Sequence, residues 1–136
     1  MCRIVGLVSH ERKLSTDMEE TLIKMRDVLS HGGPDDAGVY IDKKHGVALG
    51  NRRLSILDPS PLGHQPMGSE DGSLWITYNG EIYNFMEIRR DLEALGYRFK
   101  SSTDTEVILK AYQEWGERAF ERFIGMFATG CSAFYI

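Results

Sequence analysis

The sequence opens with Met1-Cys2-Arg3-Ile4-Val5-Gly6-Leu7-Val8-Ser9, and the apolar, β-branched run at 3–9 predicts a buried strand. A cysteine directly after the initiator methionine is small enough for Met1 to be removed, which would leave Cys2 with a free α-amine. That amine has an ordinary pKa near ~8 and the thiol near ~8.5, so one residue would hold a nucleophile and a base. The alternative is that Cys2 is a small apolar residue that packs at the start of the strand.

Composition excludes several classes of function. The chain has 136 residues, of which 42% are hydrophobic and 26% charged, as is ordinary for one soluble globular domain. A net charge of −4 gives no electrostatic reason to expect nucleic acid or an anionic membrane as a partner. No apolar run approaches the ~20 residues that span a bilayer, and the first residues lack the apolar segment of a signal peptide. We therefore expect a cytoplasmic protein.

Cysteine and histidine spacing gives no support for a metal site. There is no CxxC pair and no HExxH motif, and the four histidines are scattered through turn-like contexts. A disulfide between Cys2 and Cys131 would suit a secreted chain, which this sequence does not resemble. We expect no bound metal.

Apolar spacing and turn residues predict a mixture of helices and strands. After the first strand, further strands are expected at 38–41, 47–50 and 74–78, and another begins at 125. Capping boxes at Thr16, Asn84 and Thr103 predict three helices, which end near Leu29, Leu95 and Trp115. Hairpins outnumber parallel crossovers, so the pattern indicates an α+β fold with largely antiparallel sheets. The pair Asn79-Gly80 is expected to end the strand at 74–78 in a turn.

Polar residues that a core does not require collect at strand ends and at the start of a helix. They are Cys2, Arg53, the run Asn79-Gly80-Glu81, and Asp104. Each has a purely structural explanation, because Arg53 would serve as a surface arginine, Asn79-Gly80 as a turn, and Asp104 as a helix-dipole residue.

Taken together, the same residues make a coherent set for attack on an amide. Cys2 would be the nucleophile with its own α-amine as base, and the Asn79 side chain and Gly80 N–H would stabilise an oxyanion. Arg53 would hold a carboxylate bidentately, while Asp104 and Glu81 would hold an ammonium group. A ligand with a carboxylate, an ammonium group and an amide is an amino acid of the glutamine or asparagine kind.

Seven segments give the chain a specific resemblance to a known family. In order along the chain they are MCRIVG, SHGGPDDAG, RRLSILD, GHQPM, YNGEIYN, STDTEVIL and GMFA. They resemble the glutaminase domain of asparagine synthetases, a class II glutamine amidotransferase, from Met1 to about Ala128. This family consists of N-terminal nucleophile hydrolases, so the resemblance implies an αββα sandwich. It also implies that residues 1–136 form a single domain of this type.

The resemblance implies a role for each matching residue. Cys2 corresponds to the nucleophile, and Asn79 and Gly80 to the oxyanion hole. Arg53 matches the arginine that binds the α-carboxylate of glutamine, and Leu54 and Ser55 follow it in the same pocket. Glu81 and Asp104 match the acids around the α-amine.

The activity that the resemblance implies is hydrolysis of L-glutamine through a glutamyl thioester, with ammonia passed to an ATP-dependent synthetase domain or subunit. There, aspartate would be activated by ATP and magnesium to make asparagine. This chain has no SGGxDS-type pyrophosphatase loop, so we expect no cofactor and no synthetase domain within it. Homo-oligomerisation is left open.

Two departures from the family pattern are visible. Gly32 stands where the family usually has an arginine in a His-Arg-Gly-Pro-Asp segment. After Ala128 the chain departs from the family and stops at Ile136, so we expect a domain that lacks its last strands. Three alternatives therefore stay open beside the glutaminase: a truncated, non-catalytic domain that binds glutamine or a partner, an ammonia donor to another acceptor such as a sugar, and a structural domain without an amino-acid site.

Overall fold

Two antiparallel sheets lie face to face between outer helices in the computed structural model, which describes residues 2–11 and 13–133. Each sheet has three strands among the described residues. The predicted α+β class and the αββα arrangement are confirmed.

The first sheet has the strand order β1-β3-β2, so the last of these strands in the chain lies in the middle. Its strands are β1 (Arg3–Val8), β2 (Asp36–Asp42) and β3 (Val47–Arg53). The register places Arg52 of β3 opposite both Arg3 and Ala37. The residues that flank this end of the sheet, Cys2 before β1 and Leu54 after β3, are therefore neighbours.

The second sheet has the order β4-β5-β6 and is built around one long strand. Its strands are β4 (Met67–Gly68), β5 (Leu74–Ile82) and β6 (Gly125–Ala133). The prediction that Asn79-Gly80 ends a strand in a turn is wrong, because β5 runs through both residues and pairs with β6 as far as Ile82 opposite Gly125. The strand predicted to begin at 125 is confirmed as β6, which extends through Ala133.

Gly80 permits this continuous pairing. Its φ is +154°, a backbone conformation that residues with a side chain rarely adopt. A Cβ at this position would lie 2.3 Å from Met126 O and 2.5 Å from Phe127 Cα. A glycine is needed here because β6 approaches closely, and not because the chain turns.

Alternate residues of β3 pack in opposite directions. Ala48 is fully buried against the first helix, whereas Leu49 points to the second sheet, where it would contact a Cβ at Gly130. Asn51 also points to the second sheet and donates a hydrogen bond to Thr77 Oγ1 of β5 at 3.1 Å. The two sheets are therefore joined by polar as well as apolar contacts.

Within the described ranges, three α-helices cover the outer faces. They are α1 (Thr16–Val28), α2 (Phe85–Ala94) and α3 (Asp104–Trp115), with 3-10 turns at Ser30–Gly32, Pro61–Gly63 and Gly116–Arg122. The helix α1 packs on the first sheet through Leu22, and α2 and α3 pack on the second sheet through Leu92 and Ile108. No helix within the described ranges combines the length and apolar character needed to span a membrane.

Only one of the three predicted capping boxes has the expected cap. Thr103 accepts a hydrogen bond from Glu106 N at 3.2 Å and so caps α3. At α1 the N-cap is Ser15 rather than Thr16, and it makes no side-chain cap. Asn84 precedes α2, but its side chain donates to Arg122 O and accepts from Ile124 N. These bonds tie the start of α2 to the segment before β6.

Candidate active site

Cys2 lies just before β1, at the end of the sandwich where β3 also ends. Leu54 N donates a hydrogen bond to Cys2 Sγ at 3.4 Å, and Sγ lies 3.8 Å from Leu54 O. The thiol is half-buried and is held by the backbone that follows β3. Met1, whose removal would free the Cys2 amine, lies outside the described residues.

Gly32 leaves space for the side chain of Arg3, which follows the candidate nucleophile Cys2. A Cβ at Gly32 would lie 2.6 Å from both Arg3 Cζ and Arg3 Nε, so the Arg3 side chain occupies the space that a larger residue 32 would need. Arg3 Nη1 in turn donates to Cys2 O at 3.0 Å. The departure at Gly32 is therefore matched by a cation that contacts the Cys2 backbone directly.

Arg53, the last residue of β3, is buried and fixed by the loop that follows it. Nη1 donates to Ser60 O at 3.2 Å, and Nη2 donates to Asp58 O. Gly63 lies against the guanidinium, because a Cβ there would be 1.9 Å from Nη2. A guanidinium has five N–H donors, so donors remain for a ligand after these two bonds.

Asp58 fixes the same loop to the segment before α3. Its Oδ1 accepts from Ser60 N at 3.0 Å, and its Oδ2 accepts from Ser102 N at 3.1 Å. Hydrogen bonds from Ser60 and Ser102 lower the pKa of Asp58 to about 2. The carboxylate is therefore ionised at neutral pH and joins the Arg53 loop to the start of α3.

Asp104 is buried at the first turn of α3 and reaches across to β5. Its Oδ2 accepts from Tyr78 Oη at 2.8 Å and from Ile82 N at 3.3 Å. Burial raises the pKa of Asp104, although these hydrogen bonds oppose the shift. Burial, followed by the nearby Asp104 carboxylate, raises the pKa of Tyr78 well above its ordinary value. Tyr78 is therefore a hydrogen-bond donor to Asp104 and not a base.

These elements line one cleft. Six of the predicted site residues line it: Cys2, Arg53, Leu54, Gly80, Glu81 and Asp104. A thiol, a guanidinium and two carboxylates thus line the same cleft.

Ser55 and Asn79 are not among the described residues that line this cleft. Ser55 N donates to Asp35 Oδ2 at 2.8 Å, and the residue lines a separate hollow with Pro59. Asn79 Oδ1 is buried and has no hydrogen-bond partner in the described part of the chain.

Gln65 lines the cleft, but sequence reasoning gave it no role. Its Oε1 accepts from Tyr78 N at 2.7 Å and from Asn51 Nδ2 at 3.2 Å. Its Nε2 donates to Thr105 Oγ1 at 3.2 Å. The signal was present, since Gln65 lies in the GHQPM segment, but its partners are 13 to 40 positions away and no local pattern reveals them.

The two cysteines and the histidines bear on the disulfide and the metal site considered from the sequence. Cys2 and Cys131 are both free thiols, so the chain shows no disulfide between them. Over the ranges 2–11 and 13–133, no group of three or more acidic, histidine or cysteine residues is arranged to hold a metal ion. His45 and His64 instead form pairs with Asp42 and Asp36.

Known proteins with similar sequences indicate the same family as the segments quoted above. Residues 1–132 match the family model described as a glutamine amidotransferase domain. The chain is 43% identical over 129 residues to asparagine synthetase [glutamine-hydrolyzing] 1 of Bacillus subtilis, covering 94% of this chain and 20% of the relative. It is 38% identical to the putative asparagine synthetase [glutamine-hydrolyzing] 2 of Methanocaldococcus jannaschii, covering 94% of this chain and 27% of the relative. The chain therefore spans about a fifth to a quarter of the length of these relatives.

A solved structure has the same fold. Glutamine phosphoribosylpyrophosphate amidotransferase from B. subtilis aligns with a TM-score of 0.78 at 17% identity, covering 96% of this chain and 35% of that chain. At this identity the likeness concerns the fold, which is that of the N-terminal nucleophile hydrolases. The family match over residues 1–132 and the shared fold together show that the chain belongs to the glutamine amidotransferase domain family.

Proposed function

We propose that this chain hydrolyses L-glutamine to glutamate and ammonia, with Cys2 as the nucleophile. The observation that carries the proposal is the single cleft in which the Cys2 thiol meets a buried guanidinium, Arg53, and a buried carboxylate, Asp104. Family membership supports glutamine as the amino acid.

Recognition of glutamine would use the charged walls of the cleft. The α-carboxylate binds the Arg53 donors that the loop carbonyls leave unoccupied, and the α-ammonium binds Asp104 and the exposed Glu81. Arg53 and Asp104 are 6% and 5% exposed, so their fixed side chains bind the zwitterion without first losing much rotational freedom.

The chemistry begins after removal of Met1. The Cys2 thiol gives its proton to the Cys2 α-amine, and the sulfur attacks the side-chain amide carbon of glutamine. The tetrahedral intermediate collapses as the C–N bond breaks, and the α-ammonium returns the proton to the leaving group, which departs as ammonia. Water, deprotonated by the same amine, then attacks the thioester, and glutamate leaves as the thiol is restored.

Gly80 N–H and the Asn79 side-chain amide are our candidates for stabilising the oxyanion. The N–H groups of alternate strand residues point to the same edge, and Tyr78 N and Ile82 N both donate to side chains at the cleft. Gly80 lies between them and lines the cleft, so its N–H is expected at the same edge. One such donor contributes about 3 kcal/mol in other acyl-transfer enzymes.

Glutamate release by the purified chain tests the proposal. We expect release by the wild type, loss of it in Cys2→Ala, and retention in Cys131→Ala, a matched removal of the other free thiol. Equal release by the wild type and Cys2→Ala would contradict the proposal.

We further propose that the ammonia is used by an ATP-dependent synthetase domain or subunit to make asparagine from aspartate. The support is the name shared by the relatives, of whose length this chain spans about a fifth. ATP and magnesium would then bind outside residues 1–136. Titration calorimetry should detect no binding of Mg-ATP to this chain, and saturable binding would contradict the assignment.

A further inference from the structure

Among residues 2–11 and 13–133, no strand pairs with the cleft-side edge of β5 at Gly80, the candidate oxyanion donor. The strand β4 has two residues, and Met67 pairs with Ile76 and Gly68 with Trp75. Beyond Ile76, the backbone groups of alternate residues therefore face the cleft, and no strand in the described part of the chain bonds them.

Side chains replace the missing strand at Tyr78. Gln65 Oε1 accepts from Tyr78 N at 2.7 Å, and Asn51 Nδ2 donates to Tyr78 O at 3.4 Å. Asn51 Nδ2 also donates to Gln65 Oε1 at 3.2 Å, so the two amides bond to each other as well. Together they satisfy both backbone groups of Tyr78, as a paired strand would.

Further along the same edge of β5, Asp104 holds the N–H of Ile82. Its Oδ2 accepts from Ile82 N at 3.3 Å. Gly80, with a φ of +154°, lies midway between two residues whose N–H groups are held by buried side chains. Fixing the backbone on both sides restricts the direction of the Gly80 N–H.

Gln65 is itself fixed from several sides. It is 4% exposed, and its Nε2 donates to Thr105 Oγ1 of α3 at 3.2 Å. Through Asn51 it is joined to β3 and through Thr105 to the helix that carries Asp104. One side chain thus connects the first sheet, β5 and α3 at the cleft.

We propose that Gln65 is a positioning residue that holds the Tyr78–Gly80 backbone so that the Gly80 N–H faces the reacting amide. The proposal rests on the function proposed above for its catalytic consequence, while the positioning itself is a property of β5. Gln65 contacts the reaction only through Tyr78 and does not need to touch glutamine.

Amide hydrogen exchange and kinetics of Gln65→Met and Gln65→Glu test the inference. The methionine variant keeps the length of the side chain but removes the acceptor for Tyr78 N, so the Tyr78 amide should exchange at least about 10-fold faster. Gln65→Glu keeps an acceptor oxygen and should restore slow exchange at Tyr78. In glutamine hydrolysis, Gln65→Met should lower kcat about 10- to 100-fold, with glutamine affinity in a Cys2→Ala background changed less than about 3-fold.

Gln113→Met, the same change at an exposed glutamine on α3, is the matched control and should leave exchange and kcat unchanged. Tyr78 exchange in folded Gln65→Met that equals the wild type would overturn the inference, as would an unchanged kcat. A wild type that protects Tyr78 but releases no glutamate would contradict the proposed function and leave the positioning of β5 by Gln65 supported. The two failures are therefore distinguishable.

Discussion

Tyr78 Oη donates a 2.8 Å hydrogen bond to Asp104 Oδ2, which joins the middle of β5 to the first turn of α3. The pair lies in the wall of the cleft that also holds Cys2. A buried carboxylate in this position reduces stability but provides a fixed negative charge for an ammonium group. Stability and glutamine binding should therefore respond in opposite directions to its removal.

Asp104→Asn should raise thermal stability at pH 7 and weaken glutamine binding. Burial raises the pKa of Asp104 in the folded protein, so folded Asp104 binds its proton more tightly than the unfolded chain. Stability from this group is therefore lost as pH rises from the ordinary carboxyl range through the raised pKa. Thermal midpoints should favour Asp104→Asn at pH 7 and converge below about pH 4.

The same variant should raise the KM for glutamine about 10- to 100-fold, because a charged hydrogen bond to the α-ammonium is lost. A Tm difference that does not depend on pH, or an unchanged KM, would contradict these assignments.

Asp58→Asn should loosen the loop that carries the Arg53 contacts. The pKa of Asp58 is lowered to about 2, so its stabilisation is present above the ordinary carboxyl pKa and is lost as pH falls toward 2. The wild-type thermal midpoint should fall more steeply between pH 4 and pH 2 than that of the variant. The KM for glutamine should rise about 3- to 10-fold, because Arg53 loses its fixed orientation.

Asp71→Asn is a matched control, since hydrogen bonds from Ser69 and Ser73 also lower the pKa of Asp71 in a turn outside the cleft. It should reduce the acid sensitivity and leave the KM unchanged. An equal KM effect in both variants would show that the Asp58 loop has no special relation to Arg53.

Gly63→Ala should impair glutamine binding with little effect on the chemical step. The new Cβ would lie 1.9 Å from Arg53 Nη2, so the guanidinium must move. We expect the KM to rise about 10-fold or more, with kcat within about 3-fold of the wild type. Arg53→Lys should show a similar pattern in steady-state kinetics, because lysine lacks the planar fork. A normal KM in Gly63→Ala would mean that Arg53 does not bind the substrate.

Gly80→Ala should be far more destabilising than Gly72→Ala. Both glycines have positive φ, but a Cβ at Gly72 meets nothing within 4 Å, whereas one at Gly80 overlaps the β6 backbone. We expect losses of about 2–5 kcal/mol for Gly80→Ala and about 1 kcal/mol for Gly72→Ala in denaturant unfolding. Equal losses would show that β6 tolerates a side chain there.

The sequence predicts those parts of the fold that depend on local patterns. The apolar runs identified β1 and most of β5, and the capping box at Thr103 identified the start of α3. Asn79-Gly80 looked like a turn because the sequence does not show that β6 pairs alongside. Asn84 looked like a helix cap because its true partners, Arg122 O and Ile124 N, are about 40 positions away.

The residues of the candidate site could be predicted from the sequence, but the contacts that support them could not. Residue types and the family resemblance identified Cys2, Arg53, Gly80 and Asp104, which the fold brings to one cleft. The supporting contacts of Gln65 and Asp58 could not be predicted, because hydrogen bonds between distant loops leave no periodic signal in the sequence.

Acid-quenched mass spectrometry during glutamine turnover tests the central claim most directly. The account predicts a γ-glutamyl group bound to the sulfur of Cys2, in a chain from which Met1 has been removed, and no such group in Cys2→Ala. Turnover of glutamine by a chain that retains Met1, or by one in which Cys2 never carries the γ-glutamyl group, would contradict the account.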